Sequence, residues 1–143
     1  MHRVRSTALS IARAVSHDSG VSLKPPDLLT VELAARLHDI LVKKYHVALS
    51  SSSSAMPSVL FSFFHTAAAQ HGVDLISDGR AREVARIVEN VSWTTERTLR
   101  ETGSLEDWHR DCVELHCVQD ADRLDAIGAF GERCLFSLPL LLL

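Results

Sequence analysis

The stretch Val31-Glu32-Leu33-Ala34-Ala35-Arg36-Leu37-His38-Asp39-Ile40-Leu41-Val42-Lys43-Lys44-Tyr45 constrains the fold more than any other part of the chain. It has helical spacing and is apolar on almost every side, and a helix of that kind is buried by its neighbours. The remaining elements must therefore cover it. In its middle stand His38 and Asp39, side by side. An aspartate in an apolar helix is costly unless something positive meets it. A neutral imidazole beside a carboxylate suits a divalent metal ion such as Mn, Mg, Fe, Ni or Zn. A second stretch, Val118-Gln119-Asp120-Ala121-Asp122-Arg123-Leu124-Asp125-Ala126-Ile127-Gly128, again sets acidic residues into an apolar frame.

Composition narrows the fold class. With 143 residues, the chain is one domain's worth and long enough to bury a core. Aromatic residues make up only 6% and β-branched alternation is scarce, so an all-α chain is expected. A net charge of −3 argues against a generic nucleic-acid binder, which needs a basic face. Cys112, Cys117 and Cys134 are odd in number and lack CxxC spacing, so no disulfide framework is implied. Cys112 and Cys117 flank His116, but without a second pair this is a weak zinc signal, and core cysteines are the better reading. A reducing, cytoplasmic setting fits.

Helical patterning then places the elements. Residues 1 to 17 hold Arg3, Arg5 and Arg13 with no acidic residue, a pattern shared by mitochondrial transit peptides. Val4, Ala8, Ile11, Ala12 and Val15 fall at core-helix spacing, and a first helix over Arg3 to Val15 is the reading adopted. Pro25-Pro26 forbid continuation, and Asp27 stands where a cap belongs, ahead of a helix from Leu28 to Tyr45. His17 and Asp18 read as turn residues. The serine run Ser50 to Ser54 reads as a flexible loop.

Leu60, Phe63, Phe64, Ala67 and Ala68 predict one apolar face of a helix over Val59 to Gln70, with Gly72 as its C-cap. His65 and His71 are expected to face solvent or to cap that end. Asp78 can cap a helix from Gly79 to Val91 whose outer face is ion-paired. A short helix through Leu99 ends near Gly103. Ser104 with Asp107 resembles a capping box, and one long helix is expected from Leu105 to Ile127, with Trp108, Cys112, Leu115, Val118 and Leu124 inward. The tail Leu135 to Leu143 is apolar but far short of the ~20 residues that span a bilayer. The expected division is a helical domain over residues 1–134 and an apolar, poorly anchored tail over 135–143.

Leu37-His38-Asp39-Ile40, Lys44-Tyr45 and the run Asp120-Ala121-Asp122-Arg123-Leu124-Asp125-Ala126-Ile127-Gly128-Ala129 resemble the HD-domain superfamily of metal-dependent phosphohydrolases. Arg3 to Leu9 resembles that family's first helix and Ile87 to Trp93 a middle one, so the likeness spans roughly residues 2 to 131. The resemblance implies an HD-type helical bundle that holds a divalent ion. His38 and Asp39 match the paired ligands and Asp122 the last one. Asp39 and Lys44 are then the expected catalytic groups, together with Asp125 on the same helix face as Asp122. Asp120 is expected to hold Arg123 as an ion pair.

The departures matter too. The family's first His ligand would fall just before Met1, and His2 is about 200° away around a helix. Val42 stands where many relatives have an acid that helps to activate water. Beyond Gly131 the family would continue in a helix, whereas Phe136 to Leu143 contains Pro139. A chain truncated at both ends would explain these features. The expected function is hydrolysis of a nucleotide or other small phosphate ester, impaired in this chain. The alternative is a catalytically inactive HD-like domain that binds metal or nucleotide as an interaction module. No nucleic-acid or membrane partner is expected.

Overall fold

The computed structural model describes residues 2–18, 25–44 and 58–137. They form helices and turns with no strand among the described residues, an all-α chain as the patterning predicts. The helices are α1 (His2–Asp18), α2 (Leu28–Lys44), α3 (Ser58–His71), α4 (Arg80–Asn90), α5 (Trp93–Glu101), α6 (Asp107–Asp111) and α7 (Val113–Ser137). None of the described helices is long and apolar enough to cross a membrane.

Helix α2 is the centre of the arrangement, packed against α1, α4 and α7. Its contact residues are small or branched: Val31, Ala34 and Ala35 are fully covered, and Leu37 nearly so. The two alanines let neighbouring backbones approach closely. From α1, Val4, Ala8 and Ala12 recur every fourth residue and are buried, which puts this helix in the core. Helix α4 contributes Ala81, Val84, Ala85, Ile87 and Val88, and α7 contributes Leu115, Cys117, Val118 and Ala121. Arg5 Nε donates to Glu32 Oε1 at 2.7 Å and ties α1 to α2. That bond holds the Glu32 carboxyl below the usual carboxylate range.

The start of α2 is fixed by Asp27. Its Oδ1 accepts the Leu29 amide at 3.1 Å, as an N-cap should, and its Oδ2 accepts Arg80 Nε at 2.6 Å. Its own amide donates to Glu114 Oε1 at 2.9 Å. One capping residue thus joins α2 to the start of α4 and to the first turn of α7. At the end of α3, Gly72 adopts φ 66° and donates to the Ala68 carbonyl at 3.1 Å, a left-handed C-cap that other side chains resist. Asp78 Oδ1 accepts the Arg80 amide at 2.9 Å, so α4 begins one residue later than expected.

Four sequence expectations are corrected. The single helix from Leu105 to Ile127 is two helices, α6 and α7, broken at Cys112, whose ψ of 95° is extended. The break lets Trp108 reach α4, where its Nε1 donates to Glu83 Oε1 at 3.0 Å and Arg86 stacks 3.9 Å from its ring. The cap of α6 is Glu106 rather than Ser104, with the Glu106 amide donating to His109 Nδ1 at 3.2 Å. Phe63 and Leu124, expected inside, are exposed, because α3 turns Leu60 and Phe64 inward and α7 turns Val118 and Ala121 inward. Helix α7 also continues past the expected helix end at Ile127, through Ser137. The Ser50 to Ser54 loop, Tyr45 and residues 138–143 lie outside the described residues.

Candidate functional site

The packing of α2 against α7 brings His38, Asp39 and Asp122 together. His38 Nε2 lies 3.5 Å from Asp122 Oδ1 and 3.7 Å from Asp39 Oδ1. The imidazole is nearly buried, whereas about a third of the Asp39 side chain and 43% of the Asp122 side chain reach solvent. The site is therefore a covered histidine beneath two carboxylates at the surface. That exposure lowers the cost of the two carboxylates, which meet no Lys or Arg among the described residues.

The far side of the ring settles its tautomer. His38 Nδ1 lies 2.8 Å from the Ala35 carbonyl oxygen, which can only accept. Nδ1 therefore carries the hydrogen, and in the neutral ring Nε2 presents a lone pair toward the carboxylates. A backbone carbonyl that orients the opposite ring nitrogen is the usual support of a metal-binding histidine. Two donors bound to one ion at about 2.0–2.2 Å stand roughly 3–3.5 Å apart in tetrahedral or octahedral geometry. The two observed separations lie at and just beyond the upper edge of that range, and longer than a good N–H···O hydrogen bond. As the side chains stand, no group of three or more His, Cys, Asp or Glu among the described residues is set to hold a metal ion.

Asp125 is not in this group. It lines a cavity of about 330 Å³ between α1 and α7, with Arg3, Ser6 and Thr7 opposite. Of the other expected participants, the side chains of Lys44, Val42 and His2 lie outside the described ones. The Arg3, Ser6 and Thr7 wall was not picked out as part of a site in the sequence, where these residues read only as first-helix residues. The signal was their position within one turn of the core residue Val4, on the side of α1 facing α7.

Arg123 turns away from the carboxylates, as expected, and pairs with Asp120 at 3.5 Å. Its tighter partner is Glu96 of α5, a nearly buried carboxylate that also accepts Arg100 at 2.6 Å. Nothing in the sequence marked Glu96, because an acid on a short amphipathic helix reads as a surface residue. Cys112 and Cys117 are buried core thiols, with no zinc-like grouping around His116 among the described residues; its Nε2 donates to the His109 carbonyl at 2.9 Å. Burial, with Glu83 and Glu114 nearby, pushes the Cys112 thiol up to about 12. No family model, curated protein or solved structure matches the chain.

Proposed function

We propose that the chain is an HD-type metal-dependent phosphohydrolase acting on a nucleotide or another small phosphate ester. The observation that carries this reading is the orientation of His38. Its Nδ1 is committed to the Ala35 carbonyl, so in the neutral ring Nε2 faces Asp39 and Asp122 with a lone pair. Three electron-rich atoms that close repel one another unless a cation sits among them. The donor set, one imidazole and two carboxylates, fits Mn, Mg, Fe, Ni or Zn.

A divalent ion held there would supply an acidic bound water and polarise a phosphoryl oxygen. The chain's own residues do the rest. Asp39 and Asp122 offer partly exposed carboxylates, so a small substrate can approach them without displacing the core. Asp125 stands one turn along α7, in the cavity with Arg3, Ser6 and Thr7. A guanidinium and two hydroxyls are suited to phosphate oxygens, and the carboxylate can accept a proton or orient water beside them. Arg3 thus joins Lys44 as a candidate for offsetting phosphate charge.

A second reading is favoured by the absence of a ready three-donor cluster among the described residues. In it, the cation is a proton on His38 Nε2, and the group is a structural imidazolium clamped by two carboxylates. Titration of the metal-free chain with Mn at neutral pH separates the two. The phosphohydrolase reading expects saturable binding that His38→Ala and Asp122→Asn abolish, with Mn-dependent release of phosphate or pyrophosphate from a nucleoside triphosphate panel. Binding without hydrolysis of any ester tried would leave an interaction module; no binding would leave the imidazolium clamp.

A further inference from the structure

A different side of α7 from the one bearing Asp122 carries His116, Asp120 and Arg123, and it lines a cavity of about 470 Å³ walled by α4, α5 and α6. That volume lies within the range of small-molecule sites. No residue of the His38 group lines it. Its charge is opposite to that of the protein: Arg100, Arg110 and Arg123 face only Glu96 and Asp120, in a chain whose net charge is −3.

The Arg100 and Arg123 guanidiniums are held in place from behind. Glu96 is 9% exposed and uses one carboxylate oxygen for Arg100, at 2.6 Å, and the other for Arg123. Each guanidinium has five N–H donors, so these bonds leave others for a ligand. The second tie of Arg123, to the largely exposed Asp120, is looser at 3.5 Å. Arg110 is exposed and makes no ion pair among the described residues. The opposite wall is rigid. The His109 ring is bonded at both nitrogens, to the Glu106 amide and to the Asn90 side chain, and the buried Gln119 amide donates to the Asn90 carbonyl at 3.0 Å.

A preorganised arginine cluster with an imposed orientation recognises oxyanions, and phosphate above all. We propose that this cavity binds a phosphate group, free or as a small monoester, at a site separate from the His38 carboxylates. The proposal does not depend on the hydrolase reading.

The test is a ¹H–¹⁵N NMR titration of the whole chain with inorganic phosphate and, separately, adenosine monophosphate, at ionic strength matched with sodium chloride. Saturable shifts of the His109, His116 and Gln119 signals are expected. Arg110→Ala should weaken binding about tenfold, and adding Arg100→Ala should weaken it about tenfold again, since each removes a charged donor. Both side chains are largely exposed, so the variants should fold. His38→Ala should leave the affinity unchanged. Tighter binding of the monoester assigns the cavity to a phosphorylated metabolite, and tighter binding of inorganic phosphate to the free ion. Shifts that do not saturate, full affinity in the double variant, or loss of binding in His38→Ala would each overturn the proposal.

Discussion

Arg80 donates its Nε to Asp27 Oδ2 at 2.6 Å, so the residue that starts α4 is bonded to the residue that caps α2. Burial alone would push the Asp27 carboxyl up. The bonds from Arg80, the Leu29 amide and Thr30 outweigh that and hold it below the ordinary carboxylate value. The stabilisation is thus complete above about pH 4, where the unfolded carboxyl is ionised, and is lost as acid protonates the native one. Asp27→Ala should lower unfolding stability by about 1–2 kcal/mol at neutral pH, and by less in acid. Urea midpoints at pH 7 and pH 3 check this, and an equal deficit at both would count against it.

Glu96 and Arg100 form an unequal pair: the carboxylate is nearly buried, while 65% of the arginine side chain is exposed. Removing the buried member leaves Arg123 and Arg100 without their shared acceptor. Glu96→Ala should cost about 1–3 kcal/mol. Arg100→Ala should cost under about 1 kcal/mol, as surface ion pairs do. Chemical denaturation of the two variants gives the ranking, and a larger effect for Arg100→Ala would contradict it.

The thiols of Cys112 and Cys117 should be slow to alkylate. Burial raises them to about 12 and about 11, and the thiolate is the nucleophile. Peptide mapping after iodoacetamide treatment at pH 8 should find both unmodified in the native chain and both modified in denaturant. Rapid native labelling of Cys112 would mean that the α6–α7 junction opens readily.

On the hydrolase reading, Mn should stabilise the native chain, by about 2.7 kcal/mol at a hundred times its dissociation constant. Thermal melts should show the rise in the parent and none in His38→Ala. On the same reading, Val42→Glu supplies the acid that many HD-superfamily members place there, and it should increase turnover by about tenfold or more. Phosphate-release assays on parent and variant at saturating Mn measure that change.

The parts of the fold that local chemistry dictates were legible in the sequence. Pro25-Pro26 with Asp27 marks the start of α2, and Gly72 the end of α3, because each residue type fits few other backbone states. The neighbours of His38 were legible only in part. The family likeness put Asp122 beside it, yet Asp125 faces α1 rather than His38. Helix breaks without glycine or proline were not legible. Cys112 interrupts a run with good helical spacing because Trp108 gains Glu83 and Arg86 as partners, and those partners are distant in sequence. Phe63 and Leu124 misled for the same reason, since an apolar residue at the edge of a helical stripe can lie on either side of the contact.

The junction at Cys112 bears on how this chain can tolerate insertions and deletions. From Val113 onward, a single unbroken helix carries Asp122 toward His38 and Arg123 toward Glu96, about 100° apart around its axis. Losing or gaining one residue between Val113 and Asp122 would turn both side chains by that angle at once and pull them off their partners. The same change in the Gly103 to Glu106 connection, ahead of the break, would be absorbed before α7 begins. Length variation should therefore be permitted in the Gly103 to Glu106 connection and forbidden for the three turns after Cys112.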